Sequence, residues 1–173
     1  MLVATSHQTI GPYWHLIEDP AWSNLLRFGA EGDRIVLTGT VTDGGGELVT
    51  DAAIEIWQTS PAASDGFPAF GRCRTDATGS FRFTTLKPGP VAGLGNAQQA
   101  PHVAISIFAR GLLTSLTTRL YFQDEPLNET DPVLSLIEDP ARRATLLARK
   151  VSDDAWHLDI RLQGENETVF MEI

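Results

Sequence analysis

The stretch from Ala100 to Phe122, APHVAISIFARGLLTSLTTRLYF, constrains the fold more than any other part of the chain. Its first half alternates as a half-buried strand does, with His102, Ala104, Ser106 and Phe108 on one face and Val103, Ile105, Ile107 and Ala109 on the other. A second run, Leu113–Phe122, follows a tight connection at Gly111, so the two read as strands His102–Arg110 and Leu113–Phe122 of a hairpin. A His-x-His pair on such a strand would set two imidazoles on one side, a common way to hold a metal. Here the second position is Ala104, and the pair is half present.

The same kind of signal recurs along the chain. Ile35–Thr42 is a strand rich in β-branched residues, and Asp43-Gly44-Gly45-Gly46 turns it toward a second run at Ala53–Thr59. Arg72–Thr75 is a short strand, Asp76–Gly79 a turn, and Ser80–Leu86 sets Phe81 and Phe83 against Arg82 and Thr84. Ser60–Gly71 and Lys87–Pro101 read as irregular loops by their Pro, Gly and Ser content. A helical turn is expected around Pro20–Leu26. Asp139-Pro140 has the form of a helix start, Asp as cap and Pro at the first position, with Arg142–Lys150 completing about three turns. Trp156–Leu162 and Thr168–Ile173 are the expected last strands. Short strands, Gly and Asp turns and one short late helix predict an all-β fold, an antiparallel β-sandwich.

Length and charge narrow the function. The 173 residues fit a single domain, with residues 1–15 as an extended N-terminal arm and 35–173 as the sandwich core. A net charge of −9 argues against nucleic acid, whose binders carry basic patches, and gives no attraction to an anionic membrane surface. The lone Cys73 precludes an internal disulfide and reads as a small buried apolar residue, which fits a reducing cytoplasm. No basic-then-apolar leader or spanning segment is evident, so a cytoplasmic protein is expected.

Several stretches together resemble the intradiol ring-cleaving dioxygenases, non-haem iron(III) enzymes that open catechols between their two hydroxyls. The resemblance lies in Thr5-x-x-Gln8-x-x-Gly11-Pro12-Tyr13, in Gly39-x-Val41-x-Asp43 leading to Ala53-x-Glu55-Ile56-Trp57-Gln58, and in Thr75-Asp76-x-x-Gly79-x-Phe81-x-Phe83. Lys87-Pro88-Gly89-Pro90 and the hairpin end Thr118-Arg119-Leu120-Tyr121-Phe122 complete it. The Asp-Gly turn and the Thr-Asp-x-x-Gly-x-Phe pattern also occur in prealbumin-like sandwiches, and the order and spacing of all the pieces make the match specific.

The family holds its iron with two tyrosines and two histidines. By the resemblance one tyrosine would fall soon after Trp57-Gln58, where residues 59–71 have none and Asp65 lies nearest. The other would follow Lys-Pro-Gly-Pro, where this chain has Val91. The histidines would be His102 and residue 104, which is Ala104. One ligand in four remains, so the resemblance implies no metal ligands and no catalytic residues on this chain. Fe(III) would be held by a larger homologous catalytic partner chain in a hetero-oligomer acting on an aromatic carboxylate and O₂.

The resemblance further implies that Thr9, Gly11, Pro12 and Tyr13 reach into the partner's pocket and line it. Read from the residues alone they form an arm tied down by Trp14, and Gly-Pro lets a backbone approach a ligand closely in a fixed direction. Arg119 shares a face with Thr117 and Tyr121, opposite Leu116, Leu120 and Phe122. An arginine on a strand is ordinarily a surface or ion-pair residue, while a planar guanidinium also suits a substrate carboxylate. His102 reads as a structural histidine, and His157 as surface-facing. The alternative to the enzyme subunit is a non-enzymatic prealbumin-like binding module, which would need no catalytic partner.

Overall fold

The computed structural model describes residue 11 and residues 13–172. Ten strands carry the fold: β1 (Arg34–Thr42), β2 (Ala53–Trp57), β3 (Phe70–Arg74), β4 (Ser80–Leu86), β5 (Val91–Ala92), β6 (Gln98–Gln99), β7 (His102–Phe108), β8 (Leu116–Phe122), β9 (Leu147–Ser152) and β10 (Ala155–Arg161). The single α-helix, α1, covers Pro140–Ala144, and four short 3₁₀ turns complete the inventory of the described residues. Eight strands follow one another in the order β3-β2-β7-β8-β9-β10-β1-β4, and β5 and β6 form a separate ribbon. Strand β9 joins β3-β2-β7-β8 to β10-β1-β4, so the two halves fold over a common core as a β-sandwich.

The alternation in the hairpin is realised residue by residue. Val103, Ile105 and Ile107 are buried, while His102, Ala104, Ser106 and Phe108 are half-buried on the opposite face. They meet Ile54 and Ile56 of β2, Leu120 and Phe122 of β8, Leu37 and Val41 of β1 and Phe83 of β4, all at 1% exposure or less. Burying each such side chain contributes about 1.5–3 kcal/mol, which is why the pattern of period two fixes the register. Packing is tightest at Gly39, where a Cβ would run into the Phe81 ring and the Leu158 carbonyl. The far side is closed by the segment around the 3₁₀ turn Pro20–Ser23. Leu25 is fully buried and its N–H donates to the Thr84 carbonyl on β4 at 2.9 Å, beside Gly71 of β3.

A second cluster lies on the other face of β8. Tyr121, Ala100, Leu134 and Leu146 are fully buried there, with Leu127, Ile137, Val169 and Met171 packed against them. It covers one end of the hairpin's outer face and leaves the row around Ala104 and Arg119 partly open.

Several expectations need correction. The predicted three-turn helix ends at Ala144, although Asp139 caps it as expected by accepting the Ala141 N–H at 2.8 Å. The Thr145 side chain turns back to the Arg142 carbonyl, and the chain then becomes β9, because Leu146 and Ala148 have to enter the two cores. β9 runs parallel to β8 and antiparallel to β10, and β1 runs parallel to β10, so the sandwich is not purely antiparallel. Residues 168–172 do not form the expected last strand. They run beside β8, held by the Met171 N–H on the Thr117 carbonyl and by the Thr118 hydroxyl on the Val169 carbonyl, too few backbone bonds for a ladder.

The hairpin strands are shorter than expected, since residues 109–115 form the connection. The expected loop at 87–101 contains the β5–β6 ribbon, and the extended arm ends in a 3₁₀ turn at Trp14–Leu16. His157 is largely covered rather than surface-facing, with Nδ1 at 2.9 Å from the Thr38 hydroxyl and Nε2 at 2.9 Å from Asp159. Cys73 is buried, and that burial pushes its thiol up to about 12. No helix among the described residues is long and apolar enough to cross a membrane.

Candidate functional site

Four strands place one row of side chains across the outer face of the β3-β2-β7-β8 half. Phe70 pairs with Trp57, Trp57 with Ala104, and Ala104 with Arg119. The Trp57 and Phe70 rings lie 4.3 Å apart, and Trp57 is half-exposed. A small residue thus stands between an aromatic pair and a guanidinium. One step along the hairpin, on the same face, His102 pairs with Tyr121. Val91 joins this neighbourhood through the ribbon, because it pairs with Gln99, whose Oε1 accepts from Arg119 Nη1 at 2.6 Å. Position 91, on the separate ribbon, is thereby brought to the neighbourhood of 102, 104 and Arg119.

Arg119 is half-buried and held from behind. Its Nη1 also donates to the Tyr121 hydroxyl at 3.1 Å, and that hydroxyl donates to Asp131 Oδ1 at 3.3 Å. Asp131 is fully buried and held by three backbone donors as well: Val133 and Leu134 N–H on Oδ1 at 2.8 Å each, and Ala100 N–H on Oδ2 at 2.7 Å. A buried carboxylate is tolerated when hydrogen bonds replace its lost water, as here. Burial pushes the Tyr121 phenol up to about 12, so it stays protonated at neutral pH.

His102 is fixed by the same corner. Its Nδ1 lies 2.8 Å from the Ala100 carbonyl, which can only accept, so the proton sits on Nδ1 and Nε2 carries the lone pair. Burial holds its pKa below the ordinary value, against the pull of the Ala100 carbonyl and with a further push from the Arg119 charge. The residue is a neutral imidazole whose ring lies 5.4 Å from the Tyr121 ring, tilted 35° to it.

Thr9 and Pro12 lie outside the described residues. Gly11 has a positive φ of 79°, where a side chain would be strained. Tyr13 is 72% exposed and begins the turn Trp14–Leu16, in which Trp14 is buried. Glu18 ties the base of this segment to β3 by accepting the Arg74 N–H at 2.8 Å. Arg119 lies on β8, separated from β3 by β2 and β7. Gln99, Asp131 and the Trp57–Phe70 pair were not singled out by the sequence. Asp131-Pro132 carries an Asp-Pro turn signal that marks the one buried carboxylate of the network.

Residues 21–164 match the family model described as Dioxygenase. The chain belongs to the intradiol ring-cleavage dioxygenase family. It is 41% identical to the protocatechuate 3,4-dioxygenase alpha chain of Pseudomonas putida, over 99% of this chain and 98% of that one. It is 33% identical to the protocatechuate 3,4-dioxygenase beta chain of Burkholderia cepacia, over 79% of this chain and 67% of that one. Among solved structures, the dioxygenase domain of a dioxygenase carbohydrate-binding protein fusion from Streptomyces sp. SirexAA-E superposes with a TM-score of 0.62 at 28% identity, covering 91% of this chain and 97% of that one.

Members of this family generally use iron(III). A ferric ion needs hard anionic donors. The groups gathered on this face are one neutral imidazole and one phenol, the latter kept protonated and bonded to both Arg119 and Asp131. Val91 and Ala104 supply no donor atom, and Arg119 adds positive charge to the same row. This donor set does not fit a ferric centre.

Proposed function

We propose that this chain, as one domain over 1–173, is the non-iron-binding alpha subunit of a protocatechuate 3,4-dioxygenase. It would pair with a homologous catalytic beta subunit in an alpha–beta hetero-oligomer. The complex would cleave 3,4-dihydroxybenzoate between its hydroxyls, adding both atoms of O₂ to give 3-carboxy-cis,cis-muconate. Fe(III) belongs to the partner chain. The observation that carries this reading is the row in which Ala104 faces Arg119, with His102 and Val91 beside it, so that two of the positions the resemblance matches to iron ligands carry no donor side chain.

In this reading the chain contributes shape and charge to a shared pocket. Thr9, Gly11, Pro12 and Tyr13 form a wall, and Arg119 meets the substrate carboxylate. A guanidinium favours a carboxylate over a neutral ring by charge-assisted hydrogen bonds, strongest where water is excluded. The single buried thiol of Cys73 suits work in the cytoplasm.

The test is co-expression with the homologous chain that carries intact tyrosine and histidine ligands. The two should co-purify and open 3,4-dihydroxybenzoate, followed by loss of its ultraviolet band and by uptake of one O₂ per substrate. Failure of the two chains to associate, or ring opening by this chain alone, would overturn the assignment.

A further inference from the structure

We propose that Tyr121 and Gln99 are positioning residues that hold the Arg119 guanidinium so that its remaining edge takes the substrate carboxylate in bidentate fashion. This rests on the reading that Arg119 meets that carboxylate. Arg119 Nη1 has two N–H groups, and both are used: one reaches Gln99 Oε1 at 2.6 Å and the other the Tyr121 hydroxyl at 3.1 Å. The Nε–H and Nη2 edge has no partner among the described residues. That edge offers two parallel N–H groups, the fork that matches the two oxygens of a carboxylate.

The direction of each bond in the network is determined. Asp131 can only accept, because three backbone N–H groups already point at its carboxylate. The Tyr121 proton therefore goes to Asp131, and its lone pair is left for Arg119. Tyr121 is fully buried among Ala100, Leu134 and Leu146, so its ring does not move to follow the arginine. From the other side Gln99 is anchored by its own Nε2 on the Ala92 carbonyl at 3.2 Å, which ties the β5–β6 ribbon to the same guanidinium. A long flexible side chain is thus preorganised before any ligand arrives, and preorganisation lowers the entropy lost on binding.

The experiment uses the alpha–beta complex with 3,4-dihydroxybenzoate and catechol as paired substrates. Tyr121→Phe keeps the ring and leaves Asp131 with its three backbone donors. Gln99→Ala removes the second hold without touching either core. Each should lower kcat/KM for 3,4-dihydroxybenzoate by about three- to tenfold, the size of one net hydrogen bond, mainly through KM, and change catechol much less. In an Arg119→Ala background the Tyr121→Phe change should add nothing further, since both act on one interaction. If Arg119→Ala is selective for the carboxylate while Tyr121→Phe and Gln99→Ala behave as wild type, the positioning role is wrong and the Arg119 reading stands. Equal losses for both substrates in Tyr121→Phe would mark a structural role and overturn the proposal. An unselective Arg119→Ala would remove the reading and the proposal together.

Discussion

Arg119 stands directly opposite Ala104 across the β7–β8 ladder, on the outer face and not in the core. The position where the family resemblance would place a second histidine is thereby filled by nothing larger than a methyl group, and a guanidinium flanks it. The consequence is a prediction about charge. Arg119→Ala in the complex should cost 3,4-dihydroxybenzoate turnover about ten- to a hundredfold in kcat/KM, from a charge-assisted contact of about 1.5–3 kcal/mol at about 1.4 kcal/mol per decade. Catechol, with no carboxylate, should lose much less. Steady-state kinetics on both substrates decide it, and a uniform fall would reassign Arg119 to packing or to the subunit interface.

The arm gives a second prediction. Trp14 is buried and Glu18 is bonded to β3, so the sandwich holds the chain from residue 14 onward. Deleting residues 1–13 should leave the thermal unfolding of the chain within a few degrees of wild type and lower turnover per iron in the complex. Full activity per iron in the truncated complex would take the pocket role away from Thr9, Gly11, Pro12 and Tyr13.

Gly39 provides a test of the fold. A Cβ there would strike the Phe81 ring and, less avoidably, the backbone carbonyl of Leu158 on the adjacent strand. Gly39→Ala should therefore destabilise the chain by about 1–3 kcal/mol, the usual range for overpacking. Chemical denaturation measures this, and a neutral result would mean that β1 and β10 separate more easily than their register implies.

His102 makes stability depend on pH. Burial holds its folded-state pKa below the ordinary 6.5. As pH falls the unfolded chain takes up this proton before the folded one, so stability rises with pH in that window. The contribution is complete above about 6.5 and is lost as the pH drops through the folded-state value. His102→Gln, which still offers an N–H to the Ala100 carbonyl, should flatten the fall in melting temperature between pH 7 and 5. Parallel curves for the two proteins would contradict the assignment.

Much of the fold was legible because its strands obey period two wherever one face is buried. β1, β4 and β7 are within two residues of their expected bounds for that reason. The overlong helix failed for a definite reason. Residues 146–152 have enough helix formers to extend α1, yet Leu146 and Ala148 are claimed by two different cores, and tertiary burial overrode local preference. The site was partly legible: Arg119 and Tyr121 fall on one face by alternation alone. Gln99 and Asp131 reach them only through the fold, from a ribbon and a turn that carry no periodic signal. Among the described residues no three His, Cys, Asp or Glu side chains converge to hold a metal, and the tyrosine nearest to the family's site is bonded elsewhere.

The central claim is that this chain shapes a dioxygenase pocket without holding its iron. The most direct measurement is iron per chain, with the visible spectrum, for the isolated chain and for the complex with its homologous partner. The account predicts a colourless chain without stoichiometric iron and a red-brown complex with one iron per alpha–beta pair. Stoichiometric iron with a visible tyrosinate band in the isolated chain would contradict it.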